Sequence, residues 1–132
     1  MNFAIYLNYK DNTNEALDFY QSIFDAKVIY KVEYTSEMTE DKEKIGKVLH
    51  AELRINDQLN LYFNDSFKEY VRKGFSVVVE VPTMEEAEEL YEKLGEGGHK
   101  HTPLREIGIG NTVVGGVEDK FGLEWDVVTV SN

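Results

Sequence analysis

The sequence predicts an α+β fold made of two strand–helix–strand–strand–strand (βαβββ) modules, with curved mixed sheets around a cleft. Three observations point there. Each half of the chain reads as a strand, an amphipathic helix and three further strands. Glu15-Ala16 with Tyr20 recurs as Glu86-Ala87 with Tyr91, and Leu59-Asn60-Leu61-Tyr62-Phe63 lines up with Leu123-Glu124-Trp125-Asp126-Val127. One such module cannot cover both faces of its sheet, so two are expected to join around a common cavity. The expected layout is a single domain, 1–132, with modules 1–66 and 74–132 and a short linker, 67–73.

The elements follow in order. Phe3 to Tyr9 alternates as a short strand. Asn12 with Glu15 three residues on predicts a helix start, and Ala16, Leu17, Tyr20, Ile23 and Phe24 form its apolar face. A strand over Lys27 to Tyr34 precedes Thr35 to Lys47, a polar run long enough for a flap or a disordered excursion. Val48 to Ile55 and Gln58 to Phe63 are the next strands. Leu49, Ala51, Leu53 and Ile55 share one face and His50, Glu52 and Arg54 the other, so a three-residue loop, Asn56 to Gln58, is expected to keep the faces separate.

The second half restarts with a strand over Phe75 to Val81. Thr83 and Glu86 form a capping box, Ala87, Leu90, Tyr91 and Leu94 the apolar helical face, and Gly95, Gly97 and Gly98 the stop. Strands are expected near His99 to Thr102, Thr112 to Val117 and Leu123 to Val130, with Asp119 to Gly122 as the last turn. Alternation puts Trp125 in the core.

Composition narrows the function. The chain has 132 residues, with 14 Lys and Arg against 25 Asp and Glu, a net charge of −11. That balance leaves no basic stripe for nucleic acid. Hydrophobic residues at 42% are too many for a disordered chain. Without Cys there is no disulfide, thiolate nucleophile or Cys-ligated zinc. No apolar run suits a signal peptide or a membrane span, so a cytoplasmic protein without membrane or nucleic-acid partners is expected.

The polar strand faces carry the candidate ligand-binding residues His50, Glu52, Arg54, Asn60, Tyr62, Ser76 and Asp126. Arg54 suits an anionic ligand, with Glu52 fixing it. The bland alternative is an internal network that satisfies polar groups in a sheet crevice. His50 oriented by a carboxylate would also suit proton abstraction. A non-standard metal site from His50, Glu52, Tyr62 and Asp126 is allowed by residue type only. His99 and His101 read as an exposed strand end, and the glutamates of the second helix as a solvated face.

Several motifs then resemble the vicinal-oxygen-chelate superfamily of glyoxalases, bleomycin-resistance proteins and dioxygenases, and within it the PhnB-like branch. They are Asn14-Glu15-Ala16-Leu17-Asp18-Phe19-Tyr20, Leu49 to Ile55, Gly97-Gly98 and Glu118 to Trp125. The resemblance implies the fold above, a homodimer, and metal ligands on the first and fourth strands of each half. Counting puts those at Ile5 (Ala4 or Tyr6 with a slip), Tyr62, near Ser76, and Asp126. Only Asp126 is a good ligand for a divalent ion, so no cofactor is predicted and a metal is disfavoured.

The branch is also labelled as a demethylubiquinone methyltransferase. Gly108-Ile109-Gly110 precedes a strand rather than a helix, which is not how a nucleotide-type cofactor site is built. The expected function is therefore the binding of a small polar or aromatic molecule in the inter-module cleft, without the superfamily's usual metal site. The alternative is a metal-dependent enzyme of glyoxalase or dioxygenase type acting on a small oxygenated substrate.

Overall fold

The computed structural model describes residues 1–130, which divide into two compact units after Tyr70. In the first unit β1 (Ala4–Tyr9), α1 (Thr13–Ile23), β2 (Lys27–Glu33), β3 (Val48–Asn56) and β4 (Leu59–Asp65) follow in turn. The second repeats the series with β5 (Val77–Glu80), α2 (Met84–Gly95), β6 (His99–Glu106), β7 (Thr112–Glu118) and β8 (Glu124–Val130). Each unit has a four-stranded mixed sheet, ordered β1-β4-β3-β2 in the first and β5-β8-β7-β6 in the second. The first strand of each unit pairs parallel with the last, and the other pairs are antiparallel.

Alternation sorts each sheet into a helix-covered face and an open face. In the first unit Leu7, Ala51, Leu53, Leu61 and Phe63 are buried with Ala16, Leu17 and Tyr20 of α1. In the second, Val113, Val117, Trp125 and Val127 are buried with Ala87, Tyr91 and Leu94 of α2. Trp125 lies in the core as its alternation predicts. At roughly 1.5–3 kcal/mol for each large side chain withdrawn from water, each layer stabilises its own unit.

Local polar contacts fix the ends of the elements. Thr83 caps α2, its hydroxyl accepting the Glu86 N–H at 3.1 Å. At α1 the expected box does not form, because the Asn12 side chain caps nothing. Asp65, at the end of β4, takes that place by accepting the Thr13 N–H at 3.0 Å through one oxygen and the Val48 N–H at 2.8 Å through the other. A buried carboxylate satisfies two strand- and helix-end donors that the Asn12 side chain does not reach.

The β3–β4 hairpin also departs from expectation. Arg54 faces Asn60 and Asn56 faces Leu59, so Ile55 is the extra residue of a bulge beside a two-residue turn of Asp57 and Gln58. The parity problem is thus solved inside the strand rather than by a longer loop. Asn56 Oδ1 accepts the N–H groups of Gln58 and Leu59 at 2.8 and 3.1 Å, which closes the turn.

Residues 35–47 form a folded excursion closed at its base. Tyr34 N–H donates to Lys47 O at 2.8 Å, and Gly46 N–H donates to Tyr34 O at 3.0 Å. Lys44 Nζ lies 5.2 Å from the centre of the Phe67 ring, and that ring is 6.1 Å from Tyr34. Phe67 has φ of 61°, the left-handed region that bulky residues rarely adopt.

Candidate functional site

The open face of the first sheet gathers the chemistry. Register places Tyr30, Glu52, Tyr62 and Tyr6 in one row across β2, β3, β4 and β1. His50 stands two residues before Glu52 on the same face of β3, and Arg54 two residues after it. Cross-strand neighbours on one face lie near enough for their side chains to interact directly.

The contacts are specific. His50 Nδ1 is 2.8 Å from the Tyr6 hydroxyl, and His50 Nε2 is 2.9 Å from Glu52 Oε2. An ionised carboxylate only accepts, so Nε2 carries the proton, and Nδ1 accepts the Tyr6 O–H. Tyr62 packs edge-on against both neighbours, 5.5 Å from His50 and 6.2 Å from Tyr6. Tyr30 closes the other side, 6.1 Å from His50. Burial, and after it the negative charge of Glu52, pushes the Tyr6 phenol above the ordinary tyrosine value, so it is a neutral donor at physiological pH.

Arg54 donates from Nε to Asn60 Oδ1 at 3.4 Å and keeps the rest of its guanidinium towards solvent. His50, Glu52, Arg54, Asn60 and Tyr62 thus share one face of one unit. Ser76 and Asp126 belong to the other unit, where the Ser76 hydroxyl donates to Asp126 Oδ2 at 2.5 Å.

In the second unit the matching row reads Thr102, Gly116, Asp126 and Val78. Gly116 stands where the first sheet has Glu52, and the missing side chain is used. A Cβ there would lie 2.7 Å from His101 Cε1 and 3.3 Å from Asp126 Oδ1. His101 lies over that notch, with Nε2 2.7 Å from Glu124 Oε2 and Nδ1 2.9 Å from Thr102 Oγ1. His101 is exposed at the start of β6, as its sequence position suggests, and is hydrogen-bonded there through both ring nitrogens.

Two residues escaped sequence reasoning, and a third, Tyr6, was reached only as a one-residue slip. Ile5, where counting falls, faces Leu61, and Tyr6 is the residue opposite Tyr62. The signal was the parity of β1: Leu7 and Tyr9 lie on the buried face, which leaves Tyr6 on the open one. Likewise Val78, not Ser76, stands opposite Asp126. Tyr30 carried no such signal, because a bulge between Val28 and Tyr30 sets its face.

Neither unit's first- and fourth-strand positions fit a divalent ion: the first unit holds Tyr6 and Tyr62 there, and the second Val78 and Asp126, of which Asp126 already accepts from Ser76. Protein sites for such ions are built from imidazole and carboxylate, with three or more protein ligands for catalytic zinc. Both nitrogens of His50 are engaged, and among the described residues no three His, Asp or Glu side chains are grouped to hold a metal ion.

Nor do the strand-to-helix connections suit a methyl-donor nucleotide. Lys10-Asp11-Asn12 and Val81-Pro82-Thr83 contain no glycine, and Gly108-Ile109-Gly110 is the β6–β7 turn.

Comparison with known proteins places this geometry. The family model described as 3-demethylubiquinone-9 3-methyltransferase matches residues 1–128. Among solved structures, the chain resembles a putative 3-demethylubiquinone-9 3-methyltransferase, PhnB protein, from Bacillus cereus. The identity is 25% and the TM-score 0.83, covering 98% of this chain and 99% of that one. It also resembles the fosfomycin resistance protein FosX from Listeria monocytogenes at 18% identity and TM-score 0.69, with 99% and 93% covered. A glyoxalase/bleomycin resistance protein/dioxygenase family enzyme from Burkholderia phytofirmans gives 14% identity and TM-score 0.67, with 97% of each chain covered. The last two likenesses concern the fold alone. No curated protein matches the sequence.

Proposed function

Since the chain belongs to the 3-demethylubiquinone-9 3-methyltransferase family, the PhnB-like branch of the vicinal-oxygen-chelate superfamily, we propose that it binds a small aromatic, polar molecule without a metal. The ligand lies on the open face of the first sheet. One observation carries this reading: Tyr6, His50 and Glu52 form a hydrogen-bonded chain beside the rings of Tyr30 and Tyr62. Rings of this kind supply flat apolar contact, and the few polar groups among them fix orientation.

Arg54, next along β3, supplies the cation for an acidic substituent. The ligand class that follows is a hydroxylated aromatic acid or a related ring. The methyl transfer in the family's description has no support in the strand-to-helix connections, and ligand sequestration needs no cofactor.

The test is titration with 4-hydroxybenzoate followed by ring resonances of the Tyr and His side chains. Shifts should concentrate on Tyr6, His50 and Tyr62, and Arg54→Ala should weaken the carboxylate-bearing ligand more than phenol. Shifts scattered over both units, or none at millimolar ligand, would sink the proposal.

A further inference from the structure

We infer that Tyr6, His50 and Glu52 form a proton relay whose outer end, the Tyr6 hydroxyl, receives the proton of a weakly acidic O–H on the bound ligand, a phenol or an enol. This rests on the preceding reading of the face as a ligand site. It differs in giving the face chemistry as well as affinity.

The argument begins with hydrogen-bond direction. Glu52 accepts from Nε2 of His50 at 2.9 Å, which leaves only a lone pair on Nδ1. The Tyr6 O–H, 2.8 Å away, is therefore committed inwards to Nδ1. Its outward side can only accept. A ligand O–H meeting Tyr6 completes a chain in which every donor points the same way, and such chains polarise cooperatively.

Transfer along the chain balances. The ligand O–H bond breaks and a new O–H forms on Tyr6. The original Tyr6 O–H breaks and an N–H forms on Nδ1 of His50. The ligand becomes an anion and His50 an imidazolium, which keeps its Nε2–H bond to the carboxylate of Glu52. No further reactant is needed.

The surroundings suit the step. Glu52 and Tyr6 are in one cross-strand row with Tyr62, and the edge-on Tyr62 ring packs against both Tyr6 and His50, so three strands hold the geometry. Burial keeps Tyr6 in its neutral, transferable form. The other charged residues with places on this face are Arg54 of β3 and Lys27, opposite it on β2; both favour an anionic ligand. Tyr6 touches the ligand, while His50 and Glu52 act through it as positioning residues.

The probe is 4-nitrophenol, whose phenolate is coloured. Binding to the full chain is measured by equilibrium dialysis below the probe's pKa, and ionisation of the bound probe by absorbance as pH rises. The bound probe should ionise about one pH unit lower than the free one, a factor of about ten. In Tyr6→Phe and Glu52→Gln, with probe concentration raised until the site is occupied, the shift should be lost. Binding by the parent with unshifted ionisation overturns the relay and leaves the ligand face standing. A shift that persists in Tyr6→Phe also overturns the relay. No binding by the parent overturns both readings.

Discussion

The carboxylate of Asp65 accepts the backbone N–H of Thr13 at 3.0 Å, so the last residue of β4 caps a helix that began 52 positions earlier in the chain. The second oxygen of Asp65 holds the N–H of Val48. One side chain therefore ties the start of α1 to the start of β3. Asp65→Ala should cost about 2–4 kcal/mol, since each buried donor left unpaired costs about 1–3 kcal/mol. Asn12→Ala should stay within about 0.5 kcal/mol, since its side chain makes no capping bond to lose. Urea unfolding midpoints would compare them, and equal losses would refute the assignment of the cap.

A second carboxylate organises the other unit. Asp119 accepts the Trp125 indole N–H at 2.9 Å, and its other oxygen accepts the N–H groups of Phe121 and Leu123. Trp125→Phe should destabilise by about 2 kcal/mol, combining a charge-assisted hydrogen bond with lost packing. A loss below half that size would mean that the indole bond contributes little.

The glycines of the second sheet should separate by what crowds them. At Gly98 a Cβ would come 2.2 Å from the Glu118 carbonyl oxygen, which is backbone. At Gly116 the nearest atom belongs to His101, an exposed side chain that can swing away. Gly98→Ala should cost about 1–3 kcal/mol, as overpacking does, and Gly116→Ala clearly less. The His101 ring resonances should move in Gly116→Ala. Unchanged resonances would place the ring elsewhere.

Alkaline titration should find Tyr6 and Tyr91 among the late tyrosines. Burial, the leading cause in both, holds Tyr6 and Tyr91 above the ordinary value of 10.0, and Tyr91 also donates to the Thr102 carbonyl at 3.0 Å. A raised folded-state value means that the folded protein binds this proton more tightly than the unfolded chain. The stability so contributed is complete below the ordinary tyrosine value and is lost as pH rises through the folded value. Tyr6→Phe and Tyr91→Phe should each remove part of the late tyrosinate phase and flatten the alkaline loss of stability. An unchanged late phase would contradict this.

Hydrogen exchange should divide residues 34–47 sharply. The amides of Tyr34, Gly46 and Lys47 donate to backbone carbonyls at the base of the excursion, and they should exchange slowly. Those of Thr35, Glu37, Glu40 and Lys42 should exchange fast. Uniform fast exchange through 34–47 would mean that the base opens readily.

Much of this was legible in local sequence. The alternation from Leu49 to Arg54 places His50, Glu52 and Arg54 on one face, and Thr83 with Glu86 marks the start of α2. What could not be read depends on distance or on a one-residue irregularity. The cap of α1 comes from Asp65, which no window around Asn12 contains. A bulge at Ile55 replaces the longer loop. Tyr6 joins His50 only through the parallel pairing of β1 with β4, a partner chosen by tertiary structure. His101 reaches Glu124 because the β6 register shifts between His99 and Thr102, and no periodicity announces that.

The rows Tyr30–Glu52–Tyr62–Tyr6 and Thr102–Gly116–Asp126–Val78 occupy the same places in two copies of one frame. Each copy keeps its oily layer on alternate residues, so the other face can differ while the frame stays the same. The first row carries rings and a carboxylate; the second carries a hydroxyl, a carboxylate held by Ser76 and a glycine notch that His101 covers. The two units therefore share a wiring plan but not its fittings. A side chain moved from the first row to position 116 would have to displace an imidazole already seated there, so what one copy does cannot be pasted into the other one residue at a time.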